Sequence, residues 1–271
     1  MVSLTTLVLL AFSSGLASAA PAKVSKLVTF GDSWTDTGRT FALTNGTWPT
    51  AAYYKGRFSN GPVWSESTGA KLTNYAYGGA STGSALIQGY TGANSDIPVP
   101  GVSEQIDQYL AATSDVSCNI HTLWAGGNDA FFAFVLGKNV TGADAASNLI
   151  RDVKKLQAKG AKNVVVFNLP ELSAIPYLGS PDTIPARPFF AAFTKAFNDG
   201  VDRAAKADKS IKIFPTDKFI ANYHIADTTT QCLNTTTQVP CADPARHLYW
   251  DAFHFTAGVH AAIGHAVKAY L

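Results

Sequence analysis

The segment that most constrains the fold is "NVVVFNL", residues 163–169. Three valines and a phenylalanine follow one another with none of the polar alternation of a half-exposed strand. A strand that is apolar on both faces must be covered on both faces, as in a parallel sheet lying between helices. Shorter apolar runs at 26–30 and 119–124 read the same way, 71–77 leads into a further glycine break, and "IKIFP" at 211–215 adds one more strand. Three of them stop at polar, glycine-bearing breaks: Gly31-Asp32-Ser33, Gly78-Gly79-Ala80-Ser81 and Gly126-Gly127-Asn128-Asp129.

Helical periodicity alternates with these runs. In "DAASNLIRDVKKLQAKGA", Leu149, Val153 and Leu156 share a face, and Gly160 is the expected stop. Over 188–207, Phe190, Phe193, Phe197, Val201 and Ala204 fall on one side, with Lys195, Asn198, Asp202, Arg203 and Lys206 elsewhere. A helix of small residues from about Thr256 closes the chain. "GYTGANSDIPVPG", 89–101, reads as a loop too short to separate domains. The expectation is one α/β domain over 21–271, with strands and helices alternating. Ligands of open α/β sheets gather beyond the carboxyl ends of the strands, which is where the three polar breaks fall.

The first 20 residues carry no charged side chain and end in Ala17-Ser18-Ala19-Ala20 before Pro21. They read as a secretory signal peptide cut near Ala19 or Ala20. The apolar stretch from residue 4 to 12 is about half the ~20 residues a membrane span needs, so export is favoured over anchoring. An extracellular location fits three Asn-X-Ser/Thr sequons at Asn45, Asn139 and Asn234. It also favours pairing of Cys232 with Cys241 across the polar loop "CLNTTTQVPC". Cys118 is then expected to be a buried free thiol. A formal net charge of +2, with no run of like charge, argues against nucleic acid as a partner. No cysteine–histidine cluster suggests a metal.

Acyl transfer needs a nucleophile, a base, a group that orients the base, and donors for a developing oxyanion. Ser33, at a turn after a strand, suits the nucleophile, and its own N–H can serve the oxyanion. Gly79 can offer a second N–H because no Cβ blocks approach, and Asn128 can add an amide. Near the end of the chain, "YWDAFHFT" supplies Asp251 and, three residues on, His254. That spacing lets the carboxylate reach the imidazole and set its tautomer. Asp32 and Asp36 read as turn-holding residues and Asn60 as a turn residue. Trp34, Trp64, Trp124 and Trp250 could line a cleft or fill the core, with Trp34 the candidate for substrate contact. His121, His224, His247, His260 and His265 have no such context and read as structural or solvated.

These blocks resemble the GDSL esterases and lipases, also called SGNH hydrolases. "FGDSWTDTG" comes first, with Trp34 where the family name has leucine, then "NYAYGGAS", "GGND" and Asp-X-X-His, in the family's order. The resemblance implies a three-layer sandwich around a five-stranded parallel sheet. It implies Ser33 as nucleophile, His254 as base and Asp251 as its orienting partner, with Ser33, Gly79 and Asn128 as oxyanion donors and no cofactor or metal. "GRFSNGPVWSE", 56–66, is similar to segments of plant GDSL esterases and of fungal acetylesterases of carbohydrate esterase family sixteen. That likeness implies a secreted, monomeric enzyme that removes acetyl groups from small carbohydrates, with no membrane partner. Three alternatives stay open: a lipase or lysophospholipase for longer acyl chains, a metallophosphoesterase, and a carbohydrate-binding protein that kept the fold.

Overall fold

The computed structural model describes residues 26–271. The expected signal peptide, 1–20, lies outside the described residues. Five parallel strands form the central sheet in the order β2-β1-β5-β6-β7: β1 (Leu27–Gly31), β2 (Leu72–Asn74), β5 (Ile120–Trp124), β6 (Asn163–Phe167) and β7 (Ile211–Phe214). β1 is buried along its whole length and β6 in all but its first residue, as their unbroken apolar runs require. The sheet is flanked by helices: α1 (Arg39–Leu43), α2 (Val102–Ala112), α3 (Gly127–Val135), α4 (Gly142–Ala158), α5 (Arg187–Ala207), α6 (Thr216–Ala221) and α7 (Ala257–Val267). Among the described residues no helix is long and apolar enough to cross a membrane.

Two expectations are corrected. Residues 89–101 are not a plain loop. β3 (Gly89–Thr91) and β4 (Ile97–Val99) pair antiparallel within them, Tyr90 opposite Pro98. Cys118 is exposed, not buried, because it sits in the turn ahead of β5 that Asp115 ties to the Ser117 N–H. The Cys232–Cys241 pairing is present.

The carboxyl edge of the sheet rests on an aromatic row. Trp124 stacks on Phe167 with centroids 4.9 Å apart, Phe167 meets Phe214 at 4.9 Å, and Trp64 tilts onto Phe167 at 4.6 Å. Gly31 ends β1 beside this row, where a Cβ would lie 2.3 Å from the Trp124 carbonyl oxygen. Its backbone is held from the other side by Gln105 of α2, a fully buried side chain. Gln105 Oε1 accepts from Gly31 N–H and Gln105 Nε2 donates to Gly31 C=O, both at 2.9 Å.

Replacing Gln105 by Leu would strand the buried Gly31 N–H, while the Gly31 C=O would keep the Tyr77 N–H at 3.2 Å. The expected loss in a Gln105→Leu variant is therefore roughly 1–3 kcal/mol of unfolding free energy, read from the midpoint of a denaturant titration.

Candidate active site

The chain leaves β1 into a tight turn in which the N–H groups of Thr35 and Asp36 both donate to Asp32 C=O at 3.0 Å. Asp32 Oδ1 also accepts from Trp34 N–H at 3.0 Å. Ser33 sits at the top of this turn. It follows β1, and Asn128 follows β5, the neighbouring strand across which the chain order reverses. A doubly wound sheet opens its crevice at that switch point.

From the far end of the sequence, His254 Nε2 lies 2.8 Å from Ser33 Oγ. His254 Nδ1 faces both carboxylate oxygens of Asp251, at 2.8 and 2.7 Å. Asp251 Oδ1 further accepts the N–H groups of Phe253 and His254, each at 2.8 Å. Burial alone would raise the Asp251 carboxyl, but the His254 ring beside it and hydrogen bonds from His254, Tyr53 and Phe253 together hold it below its ordinary value. A carboxylate on Nδ1 leaves Nε2 free to take a proton from Ser33.

The second and third blocks converge on the same spot. Gly79 has φ +87°, and a Cβ there would meet Tyr90 C=O at 2.0 Å, so both conformation and the close hairpin demand glycine. Asp36 places it: the Gly78 N–H donates to Asp36 Oδ2 and to Thr40 Oγ1, at 3.0 and 2.7 Å. Asn128 Nδ2 donates to Ala80 C=O at 3.0 Å, and buried Asp129 takes both the N–H and the hydroxyl of Thr82. Among the described residues, the Ser33 and Gly79 N–H groups have no partner within the chain. Together with the second hydrogen of the Asn128 amide, they are available to an oxyanion.

Ser33, Gly79, Asn128 and His254 line one cavity of ≈ 180 Å³. One part of its lining is apolar, formed by Phe131, Phe132, Leu172, Ile175 and Phe190. Its other walls include Trp48, Phe58 and Tyr90. Trp34 lines the cavity and also belongs to the core. It is 6% exposed, packs on Trp124 at 5.0 Å, and donates Nε1–H to Phe253 C=O at 3.3 Å. Trp34 thereby ties the Ser33 turn to the His254 loop. Trp64 and Trp124 are core residues, and Trp250 packs beside Cys232 and Leu233. His121 and His260 are buried, and burial pushes them down to about 4 and about 3. Asn45, Asn139 and Asn234 are exposed.

Sequence reasoning missed several supports. Asn60 is more than a turn residue: its Oδ1 accepts the first N–H of α7, from Ala257, at 2.7 Å. Ser59 Oγ donates to Phe255 C=O, and Phe58 lies against the His254 ring at 5.2 Å. The motif 56–66 therefore braces the histidine loop from below. Trp48 on the cavity wall and Tyr53 on Asp251 were also unforeseen. Asp36 helps close the Ser33 turn through its N–H, and its side chain also joins that turn to Gly78 and to the first turn of α1. The Asp36 and Asp129 carboxyl groups are both engaged by backbone N–H groups.

A parallel sheet with a serine, histidine and aspartate aligned at its carboxyl edge is the architecture of an α/β acyl hydrolase. Residues 27–267 match the family of GDSL-like lipases and acylhydrolases, and the chain belongs to it. It is 28% identical over 222 residues to a phosphatidylcholine-sterol acyltransferase of Aeromonas hydrophila, a match covering 77% of this chain and 65% of that protein. It is 34% identical over 166 residues to a thermolabile hemolysin of Vibrio parahaemolyticus, covering 58% of this chain and 36% of the other. The chain thus spans about two thirds or less of the length of these relatives. Among solved structures, an acetylxylan esterase from Geobacillus stearothermophilus superposes with a TM-score of 0.53 at 14% identity, over 92% of this chain and 94% of that one. At that identity the likeness shows the fold alone.

Burial pushes the Asp32 carboxyl up to about 7, against the Trp34 N–H and the His254 ring, which lower it, and with Asp129, which raises it. The folded protein therefore holds a proton on Asp32 that the unfolded chain releases near 3.8. This contribution to stability is complete below about 3.8 and is lost as pH rises toward 7. An Asp32→Asn variant, which cannot titrate, should gain stability relative to wild type across that window by on the order of a few kcal/mol. Denaturant unfolding of both proteins at pH 4, 5.5 and 7.5 checks the sign.

Proposed function

We propose that the protein is a secreted serine esterase that removes short acyl groups, above all acetyl, from carbohydrates such as plant cell-wall oligosaccharides. The observation that carries the chemistry is the 2.8 Å contact of Ser33 Oγ with His254 Nε2, backed by Asp251 and facing two unpaired N–H groups. Ser33 Oγ attacks the ester carbonyl carbon as its proton passes to His254 Nε2. The carbonyl oxygen becomes an oxyanion held by the N–H groups of Ser33 and Gly79 and by the Asn128 amide. When the tetrahedral intermediate collapses, His254 gives its proton to the leaving alkoxide, and an acyl-serine remains. Water then attacks the acyl-serine, losing a proton to His254, and the carboxylic acid leaves with Ser33 restored.

A small acetylated sugar is supported by the resemblance of residues 56–66 and by the limited size of the cavity. Export is supported by the character of residues 1–20, the Cys232–Cys241 pair and the exposed sequons. The apolar lining of the cavity favours a second reading, in which a longer acyl chain lies along Phe131, Phe132 and Phe190.

In a Ser33→Ala variant, hydrolysis of every ester should fall to background. Asn128→Ala should lower kcat by roughly 10² to 10³, and a folded variant with wild-type turnover would remove Asn128 from the oxyanion site. A panel of acetylated xylo-oligosaccharides and p-nitrophenyl acetate, butyrate and octanoate separates the two readings. Preference for the acetyl esters is expected, and preference for octanoate would select the longer-chain reading.

A further inference from the structure

Tyr53 lies 198 residues before Asp251 in sequence and makes no hydrogen bond or ring contact with Ser33 or His254. It is absent from the cavity wall. Its phenol nonetheless reaches the base of the catalytic row: Tyr53 Oη is 2.7 Å from Asp251 Oδ2. An ionised carboxylate only accepts, so the phenol donates. Burial, followed by the nearby Asp251 charge, pushes the Tyr53 hydroxyl well above its ordinary range, so it keeps its proton. We propose that Tyr53 is a positioning residue, the fourth member of a Ser33–His254–Asp251–Tyr53 chain, which tunes how strongly Asp251 supports a positive charge on His254. The proposal rests on the serine-esterase reading of this site.

Two ring contacts hold the phenol in place. The Tyr53 ring meets Trp250 and Phe58 edge-on, at 6.4 and 6.3 Å. Trp250 directly precedes Asp251, and its N–H donates to His254 C=O at 2.7 Å, while Phe58 lies against the His254 ring. The turn that carries Tyr53 is joined to the disulfide loop by a hydrogen bond from Thr50 Oγ1 to Gln238 Oε1. Inside that loop, Leu233 N–H donates to Trp250 C=O at 2.6 Å. The 232–241 loop, the Tyr53 turn and the Asp251 loop therefore form one braced unit.

The effect on chemistry follows from charge. Without Tyr53, Asp251 Oδ2 would present its full negative charge to His254 alone. The imidazolium would then be favoured, and the base would hold its proton to higher pH. The acidic limb of the kcat/KM profile would move upward, while the loss of a fixed lone-pair direction would slow proton transfer. The other titratable groups near the ring are Asp32 on the Ser33 turn and the buried His260 of α7. Neither contacts Tyr53, so both stay constant between the two proteins.

The test compares wild type, Tyr53→Phe and Ser33→Ala on p-nitrophenyl acetate across pH 4 to 9, with thermal melting of each. For Tyr53→Phe the expected result is a kcat roughly 10-fold lower with KM within about twofold. The acidic limb should move up by about half a pH unit. A role confined to packing would change the melting temperature but leave the limb where it is. Replacement of Tyr53 by 3-fluorotyrosine, which keeps the ring and makes a stronger donor, should move the limb the other way. That arm decides the matter if Tyr53→Phe does not fold. A Tyr53→Phe enzyme with wild-type kcat and an unmoved limb overturns the proposal, as does an unmoved limb for the fluorinated protein. Activity retained by Ser33→Ala would instead overturn the serine-esterase reading on which the proposal stands.

Discussion

A charge taken out of water must be paid back in hydrogen bonds, and the buried carboxylate of Asp251 makes that demand at the centre of this molecule. Four donors meet it: two backbone N–H groups of its own loop, the His254 ring and the Tyr53 phenol. The loop donors require the chain to fold back sharply over 251–254. The ring donor fixes which nitrogen of His254 faces Ser33. The phenol brings in a turn from near the start of the chain. Removing any one donor leaves the others to bear a buried charge, which is why this corner is so heavily braced.

Ser33 is held by a different logic. The Ser33 turn sits on an aromatic row at the carboxyl edge of the sheet, with Gly31 as the point of closest approach. Gln105 satisfies the backbone there from α2, and Trp34 reaches across to the His254 loop. Gly79 is pressed between the Ser33 turn and the β3–β4 hairpin, and Asp36 and Asp129 lock its neighbours in place. The backbone around Gly79 and Asn128 is thus fixed in advance by buried acidic side chains, the arrangement that the proposed oxyanion site requires.

Much of this was legible in the sequence because the signals were local. The run 163–169 required a doubly covered strand, the phenylalanines of 188–207 required an amphipathic helix, and both are found. Asp251 and His254, three residues apart, could be paired without any knowledge of the fold. Ser33 alone was ambiguous, and the other three blocks resolved it. The supports were not legible for the converse reason. Asn60 capping α7, Gln105 holding Gly31 and Tyr53 on Asp251 each join residues 74 to 198 positions apart. A polar residue in a turn-rich stretch looks the same whether it faces water or a buried backbone group. Cys118 was misjudged because a cysteine next to an apolar strand is usually buried, and here the turn holds it just outside.

By itself, the sequence determined the class of the fold and the identities of the groups that meet at its edge. Apolar periodicity and the glycine-bearing breaks are properties of a few consecutive residues, and the physics that reads them is local. The tertiary structure decided the distance between Ser33 and His254, which are 221 residues apart, and the second role of Trp34 as the strap between their loops. It also decided that the cavity has an apolar lining, since Phe131, Phe132, Leu172, Ile175 and Phe190 come from three separate segments. Those features depend on how the strands are ordered and how tightly the loops close, which no short stretch of residues encodes.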